Sequence, residues 1–285
     1  MLKDNARFNC MHILATDKRA QILNCLVEGC SMRSTSRLTG AAKKTVERLL
    51  VSAGTACAEY HDRVMRNLNC RVLQVDEIWS FCQRKEARVP EPLKGTGTMG
   101  DIWLWVALDA DTKLIPAWYV GSRGEGAAYW FISNLAGRLK SRVQLTSDGH
   151  SAYLSPIENA FGSEIDYAML IKVFDHKPSG KYSPPQYIGS RKLRITGNPD
   201  RSLISTSFVE RSNMTWRMSN RRFTWLTNAF SKKAENHKHA IAISMMHYNF
   251  CRIHQTLRVT PAMEAGLADH VWSLEDLAEL AQPKI

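Results

Sequence analysis

Residues 71–81, RVLQVDEIWSF, set an aspartate in the middle of an otherwise apolar run. Val72, Leu73, Val75 and Ile78 surround Asp76 in sequence, and a stretch so rich in Val, Ile and aromatics reads as a strand. A strand this apolar is covered on both faces, which buries Asp76. An ionised carboxylate is costly to bury unless it is paired or holds a metal ion. A chain built around this strand must therefore bring partners for Asp76 from elsewhere.

The following stretches supply the architecture. Residues 83–100 carry two Pro and three Gly and read as a long hairpin loop. Residues 101–111 and 113–122 are two more strands in an antiparallel meander. Residues 124–140 form an amphipathic helix, 142–150 a short strand ending at Asp148-Gly149, 151–162 a helix and 164–174 a fifth strand. The order is β-β-β-α-β-α-β, an α/β domain. Residues 175–206 then interrupt the pattern with four Pro, three Gly and six Lys or Arg against two Asp. A loop of this length is either functional or a surface insertion. Arg191, Lys192 and Arg194, with Tyr182 and Tyr187 among them, suit contact with an unpaired or distorted nucleic-acid strand.

Ser207–Leu226 reads as one helix carrying Glu210, Arg217, Arg221 and Arg222. Glu210 and Arg217 are seven residues apart, so two turns place them on one face. A further helix is expected over Ala234–Ile253 and one or two short ones over 260–282. At the other end, residues 17–62 are helical in pattern. A short helix over Met32–Leu38, a turn at Gly40 and a helix from Lys43 resemble a helix-turn-helix. Arg33, Arg37, Lys43, Lys44 and Arg48 would then contact phosphates or base edges; the alternative is a three-helix bundle with a solvated basic face.

Three acids are placed to meet. Asp76 is on the first strand, Asp148 at the end of the fourth, where side chains converge on a crevice, and Glu210 on the later helix. Together they are a hard oxygen set suited to Mg²⁺ or Mn²⁺. Without an ion they would repel and their pKa values would rise. Such a site promotes phosphodiester displacement by water or a 3′-hydroxyl. Each acid also has a plainer reading: Asp76 as an edge residue paired with Arg, Asp148 as a turn former, and Glu210 closing a capping box with Ser207. Glu77 points to the opposite face of its strand, solvated or paired.

A net charge of +11 and a pI near 9.4 favour a polyanionic partner. No apolar run reaches the roughly 18 residues of a membrane span, and the N-terminal residues lack a signal pattern, so an intracellular protein is expected. Seven scattered cysteines without a C-x-x-C pair read as free thiols.

VLQVDEIWSF, LTSDGHSAY, SFVERSNMTWRMSNRRFTWLTNAFSKK and HYNFCRIHQTLRVTPAM resemble the transposases of the IS-one insertion sequences, within the DDE transposases and retroviral-type integrases. The likeness spans roughly residues 71–263. It implies a ribonuclease H-like mixed five-stranded sheet flanked by helices, preceded by a small all-α helix-turn-helix domain. It divides the chain into a DNA-binding region at 1–66, a catalytic domain at 67–256 with the basic insertion at 175–206, and a helical tail at 257–285. Asp76, Asp148 and Glu210 fall on the family's acidic triad and Arg217 on its basic residue seven positions later. The implied activity is Mg²⁺-dependent nicking at terminal inverted repeats, with Mn²⁺ able to substitute, then strand transfer into target DNA. The partners would be those DNAs and further copies of the chain, in a bacterial cytoplasm. Two alternatives share these residues: a nuclease without strand transfer, and a DNA-binding regulator with an inactive catalytic domain. The family's cysteine-rich zinc module has no counterpart, because Cys10, Cys25 and Cys30 do not supply its pairs.

Overall fold

A computed structural model describes residues 14–175, 185–224 and 230–281. Three helices come first: α1 (Thr16–Val27), α2 (Met32–Thr39) and α3 (Lys43–Val64). Ser31 caps α2 by accepting a bond from the Ser34 N–H, and Gly40 ends it at φ +68°, where glycine is favoured. Ile22, Leu23, Val46, Leu49 and Leu50 are buried from these helices.

The sheet contains β1 (Val72–Cys82), β2 (Gly100–Asp109), β3 (Ala117–Gly121), β4 (Val143–Ser147), β5 (Ile165–Asp175) and β6 (Gln186–Thr196), in the order β3-β2-β1-β4-β5-β6. The pairs β1-β2 and β2-β3 are antiparallel, β1-β4 and β4-β5 are parallel, and β6 returns antiparallel to β5. Helices α4 (Glu125–Ala136) and α5 (Leu154–Phe161) cover one face, where Phe131, Ile132 and Ile157 meet Leu73, Val75 and Trp105. Helices α6 (Ser207–Ser219) and α7 (Ala234–Met246) cover the other, where Val209, Trp216, Ile241 and Met245 meet Ile78, Leu104 and Val106. Two short helices, α8 (Pro261–Glu264) and α9 (Leu274–Leu280), close the chain. A meander followed by two parallel strands, with helices on both faces, is a ribonuclease H-like α/β fold.

The N-terminal helices pack directly onto this body. Their apolar residues join one continuous cluster with Ala240, Ile243 and Met246 of α7 and Leu277 of α9. The α3–α7 contact is close: a Cβ on Gly54 would lie 2.4 Å from the His239 Cβ. No helix among the described residues is long and apolar enough to cross a membrane.

Three expectations need correction. The sheet has a sixth strand, β6, inside the stretch read as a loop. Residues 170–175 of β5 run on past β4, and pairing with β6 satisfies their outer backbone groups. Tyr182 lies outside the described residues. The helix expected to reach Leu226 stops at Ser219, because Asn220 leaves helical geometry at φ −114°, ψ 103°. Arg221 and Arg222 instead belong to a 3₁₀ turn that buries Phe223. The helix expected to reach Ile253 ends at Met246 and continues as a π-helical turn over His247–Cys251.

Candidate active site

The site is built outward from β1. β1 pairs with β4 only as far as Gln74↔Thr146, and β4 ends at Ser147. Beyond Gln74 that edge of β1 has left β4 and is bridged again only at Cys82, by Ser231, which opens a cleft at the end of β4. Asp148 stands at its mouth, where its Oδ1 accepts from the His150 N–H at 2.9 Å. Two β1 residues on the same face, Gln74 and Asp76, tie down α6. Gln74 Oε1 accepts from the Phe208 and Val209 N–H groups at 2.9 and 3.0 Å, capping the helix start. Asp76 Oδ2 accepts from Asn213 Nδ2 at 2.8 Å. These bonds bring Glu210, one turn into α6, into the cleft with Asp76 and Asp148. The cleft has a volume of about 540 Å³, and its lining also includes Arg123, His150, Lys172, Phe174, Asn213 and Arg217.

The tightest carboxylate set is Asp76, Glu77 and Asp148, each offering an oxygen within 4.8 Å of the others. Glu77 emerges on the face opposite Asp76, as strand alternation requires, and it is buried and paired with Arg123 Nε at 3.4 Å. It reaches Asp148 because no strand stands beside β1 at that level. Glu210 is not part of this set. Its Oε2 accepts from Lys172 Nζ at 2.5 Å and its Oε1 from Thr206 Oγ1 at 2.5 Å. The capping box expected with Ser207 is absent: Thr206 is the residue before the helix, and Ser207 is already in the first turn. The Thr206 hydroxyl is spent on the Glu210 side chain.

The electrostatics of the cleft follow from crowding under cover. Burial pushes the Asp76 carboxyl up to about 7, with the Glu77 and Asp148 charges adding to the effect. Burial also raises Glu77, again reinforced by Asp148, while Tyr153 and Arg123 oppose the rise. Beside these acids the buried Asn213 Oδ1 has no hydrogen-bond partner. An unpartnered buried acceptor next to clustered carboxylates makes an all-oxygen donor set, which fits a hard divalent ion.

The basic residues fall into three places. Arg217 lines the acid cleft. Arg222 turns inward and donates to Ser231 Oγ at 2.8 Å, in a buried chain that continues through His237 to Ser80, whereas Arg221 is exposed. On β6, Lys192 lies opposite Leu170 and Arg194 opposite Ala168, on the face of the hairpin that Lys172 shares, and Arg191 projects from the other face. Arg33, Arg37, Lys43, Lys44 and Arg48 are exposed on α2 and the start of α3. The sequence reading passed over Lys172, Asn213 and Arg123 and set Glu77 aside. One signal was available for Asn213, since three residues after Glu210 is one helical turn along the same face.

No family model matches the chain, and no curated protein matches it. Among solved structures it resembles one described as the piggyBac transposase synaptic complex with hairpin DNA. The TM-score is 0.41 and the identity 11%, over 94% of this chain and 72% of that one. At that distance the likeness identifies no family.

Proposed function

We propose that the chain is a DNA transposase of the insertion-sequence type. It would cleave phosphodiester bonds at the ends of its element and join the freed 3′-hydroxyl to target DNA. The observation that carries this reading is the meeting of Asp76, Asp148 and Glu210, from remote parts of the sequence, in one cleft with Arg217. The motifs that resemble the IS-one transposases support it, as does the net charge of +11.

Asp76, Asp148 and Glu210 would hold Mg²⁺, with Mn²⁺ as a substitute. When bound, the ion supplies charge neutralisation at the attacked phosphate and activation of the attacking oxygen. The chain's own residues do the rest. Arg217 contacts the phosphate on the scissile side, and Arg123 holds Glu77 at the back of the cleft. Residues 1–66 recognise the inverted repeat through Arg33, Arg37, Lys43, Lys44 and Arg48. Residues 67–256 are the catalytic domain, in which Arg191, Lys192, Arg194 and Arg221 are DNA-contact candidates while Arg222, turned inward onto Ser231, is not, and 257–285 are a helical tail. Joining two element ends calls for a homo-oligomer on DNA, working in a bacterial cytoplasm.

The test incubates a labelled inverted-repeat end and a target plasmid with the protein and Mn²⁺. Joined products are expected. Nicked products alone would reduce the protein to a nuclease of the same fold, and DNA binding without cleavage would leave a regulator. Asp148→Asn should abolish cleavage while retaining DNA binding; persistent cleavage would refute the assigned site.

A further inference from the structure

Both oxygens of Glu210 are already engaged by the protein, one by the Thr206 hydroxyl and one by Lys172 Nζ. Thr206 and Glu210 move together as parts of one helix start. Lys172 belongs to a different element: it is exposed on β5 and lines the cleft. Its face of the β5–β6 hairpin continues outward with Phe174 stacked edge-on against Tyr187, and inward with Lys192 and Arg194. Lys192 donates to the Arg201 carbonyl and Arg194 to Asn198, so neither holds a carboxylate of the cleft. Lys172 does, and the carboxylate it holds is the one missing from the close Asp76–Glu77–Asp148 set.

A lysine on a flexible stem, in a half-exposed pair, gives up its partner at little cost. The competing partner with matching chemistry is a backbone phosphate of a nucleic-acid strand lying along this basic, aromatic face. We infer that Lys172 is a phosphate-binding and positioning residue: it exchanges Glu210 for a phosphate of the DNA strand, and the released Glu210 joins Asp76 and Asp148. The inference rests on the proposed reading of the cleft as a divalent-ion site acting on DNA. DNA and the ion then bind cooperatively, and the coupling is reciprocal.

The experiment measures Mn²⁺ binding to the full chain from the electron paramagnetic resonance signal of the free ion. It is done with and without a saturating short duplex of arbitrary sequence, with ion uptake by the duplex alone subtracted. In the unmodified protein, DNA should tighten Mn²⁺ roughly two- to fivefold, the equilibrium equivalent of one surface ion pair. Lys172→Met should bind Mn²⁺ tighter without DNA by a similar factor, lose the response to DNA, and show a DNA-affinity salt slope smaller by about one contact. In a Glu210→Gln background, Lys172→Met should leave the Mn²⁺ response to DNA unchanged, because Lys172 acts through Glu210. If the unmodified protein binds no Mn²⁺, the ion-site reading itself falls. If it binds Mn²⁺ but DNA has no effect, or Lys172→Met keeps the coupling and the salt slope, the role of Lys172 is overturned and the site stands.

Discussion

Replacing Asp76 with Asn tests the electrostatics of the cleft before any chemistry is assayed. Burial raises the Asp76 carboxyl from 3.8 to about 7. Below about pH 3 both folded and unfolded chains carry the proton, and the group is neutral to stability. As pH rises, the unfolded chain ionises first. The fold then loses roughly 1.4 kcal/mol per pH unit until about pH 7, where the folded carboxyl ionises too. The ceiling is about 4 kcal/mol, and because part of the carboxylate faces the open cleft the expected loss is about 2–3 kcal/mol. Asparagine has the same shape, and its amide oxygen still accepts from Asn213 Nδ2. Without divalent ion the variant should therefore be the more stable protein at about pH 8, by roughly 4–8 °C in Tm. The assay is urea unfolding in EDTA across pH, variant against parent. His61 and His237, both pushed down to about 3 by burial, destabilise the fold as pH falls below 6.5. They are common to both proteins and cancel in the difference. That difference should be near zero at about pH 3, widen to about pH 7 and then stay flat. A difference constant with pH, or a variant less stable than its parent at about pH 8, refutes the reasoning.

Mn²⁺ should raise the Tm of the parent and leave that of Asp76→Asn nearly unmoved, since only a species that binds the ion gains from it. Asn213→Ala removes both the bond that orients Asp76 and the unpartnered Oδ1. Calorimetry should register a Mn²⁺ affinity weaker by about tenfold or more, and an unchanged affinity would make Asn213 merely structural. Gly54→Ala forces a methyl into the His239 backbone. It should cost on the order of 2 kcal/mol or more, read by urea unfolding, with unaltered stability the refuting outcome. Arg217→Ala should weaken binding of the scissile end more than binding of arbitrary duplex, and equal losses would reduce Arg217 to a general phosphate contact.

Much of the framework was legible because strand signals are local. The apolar run around Asp76 and the Asp-Gly at the end of a short strand each follow from a few neighbouring residues. β6 was missed because proline, glycine and serine dominate the composition of residues 175–206. The alternation of basic and apolar residues covers only Lys192–Ile195, too short to stand out, and it matters only once the outer edge of β5 needs a partner. Alternation placed Glu77 on the correct face. Its approach to Asp148 depends on where a different strand stops, and no local pattern carries that. The pairing of Lys172 with Glu210 joins residues 38 apart through the relative placement of a strand and a helix. Helix α6 ends early because the burial of Phe223 and the Asn220 side chain outweigh a helical periodicity that would have continued.

Helix α3 works mechanically as a rigid arm. Its 22 residues span about 33 Å. Lys43 and Lys44 are at the free end, Gly54 is pressed against α7 in the middle, and at the far end His61 Nε2 donates to the Ile115 carbonyl while Arg138 clasps Asp62. Helix α7 packs in turn against Val209 and Trp216 of α6, the helix that carries Glu210 and Arg217. The arm is thus clamped from its middle to its far end. On the proposed reading, in which the tip grips DNA and the cleft cuts it, the arm would act as a caliper: the offset between gripped sequence and cut would be set by the span of α3 and would not vary from site to site.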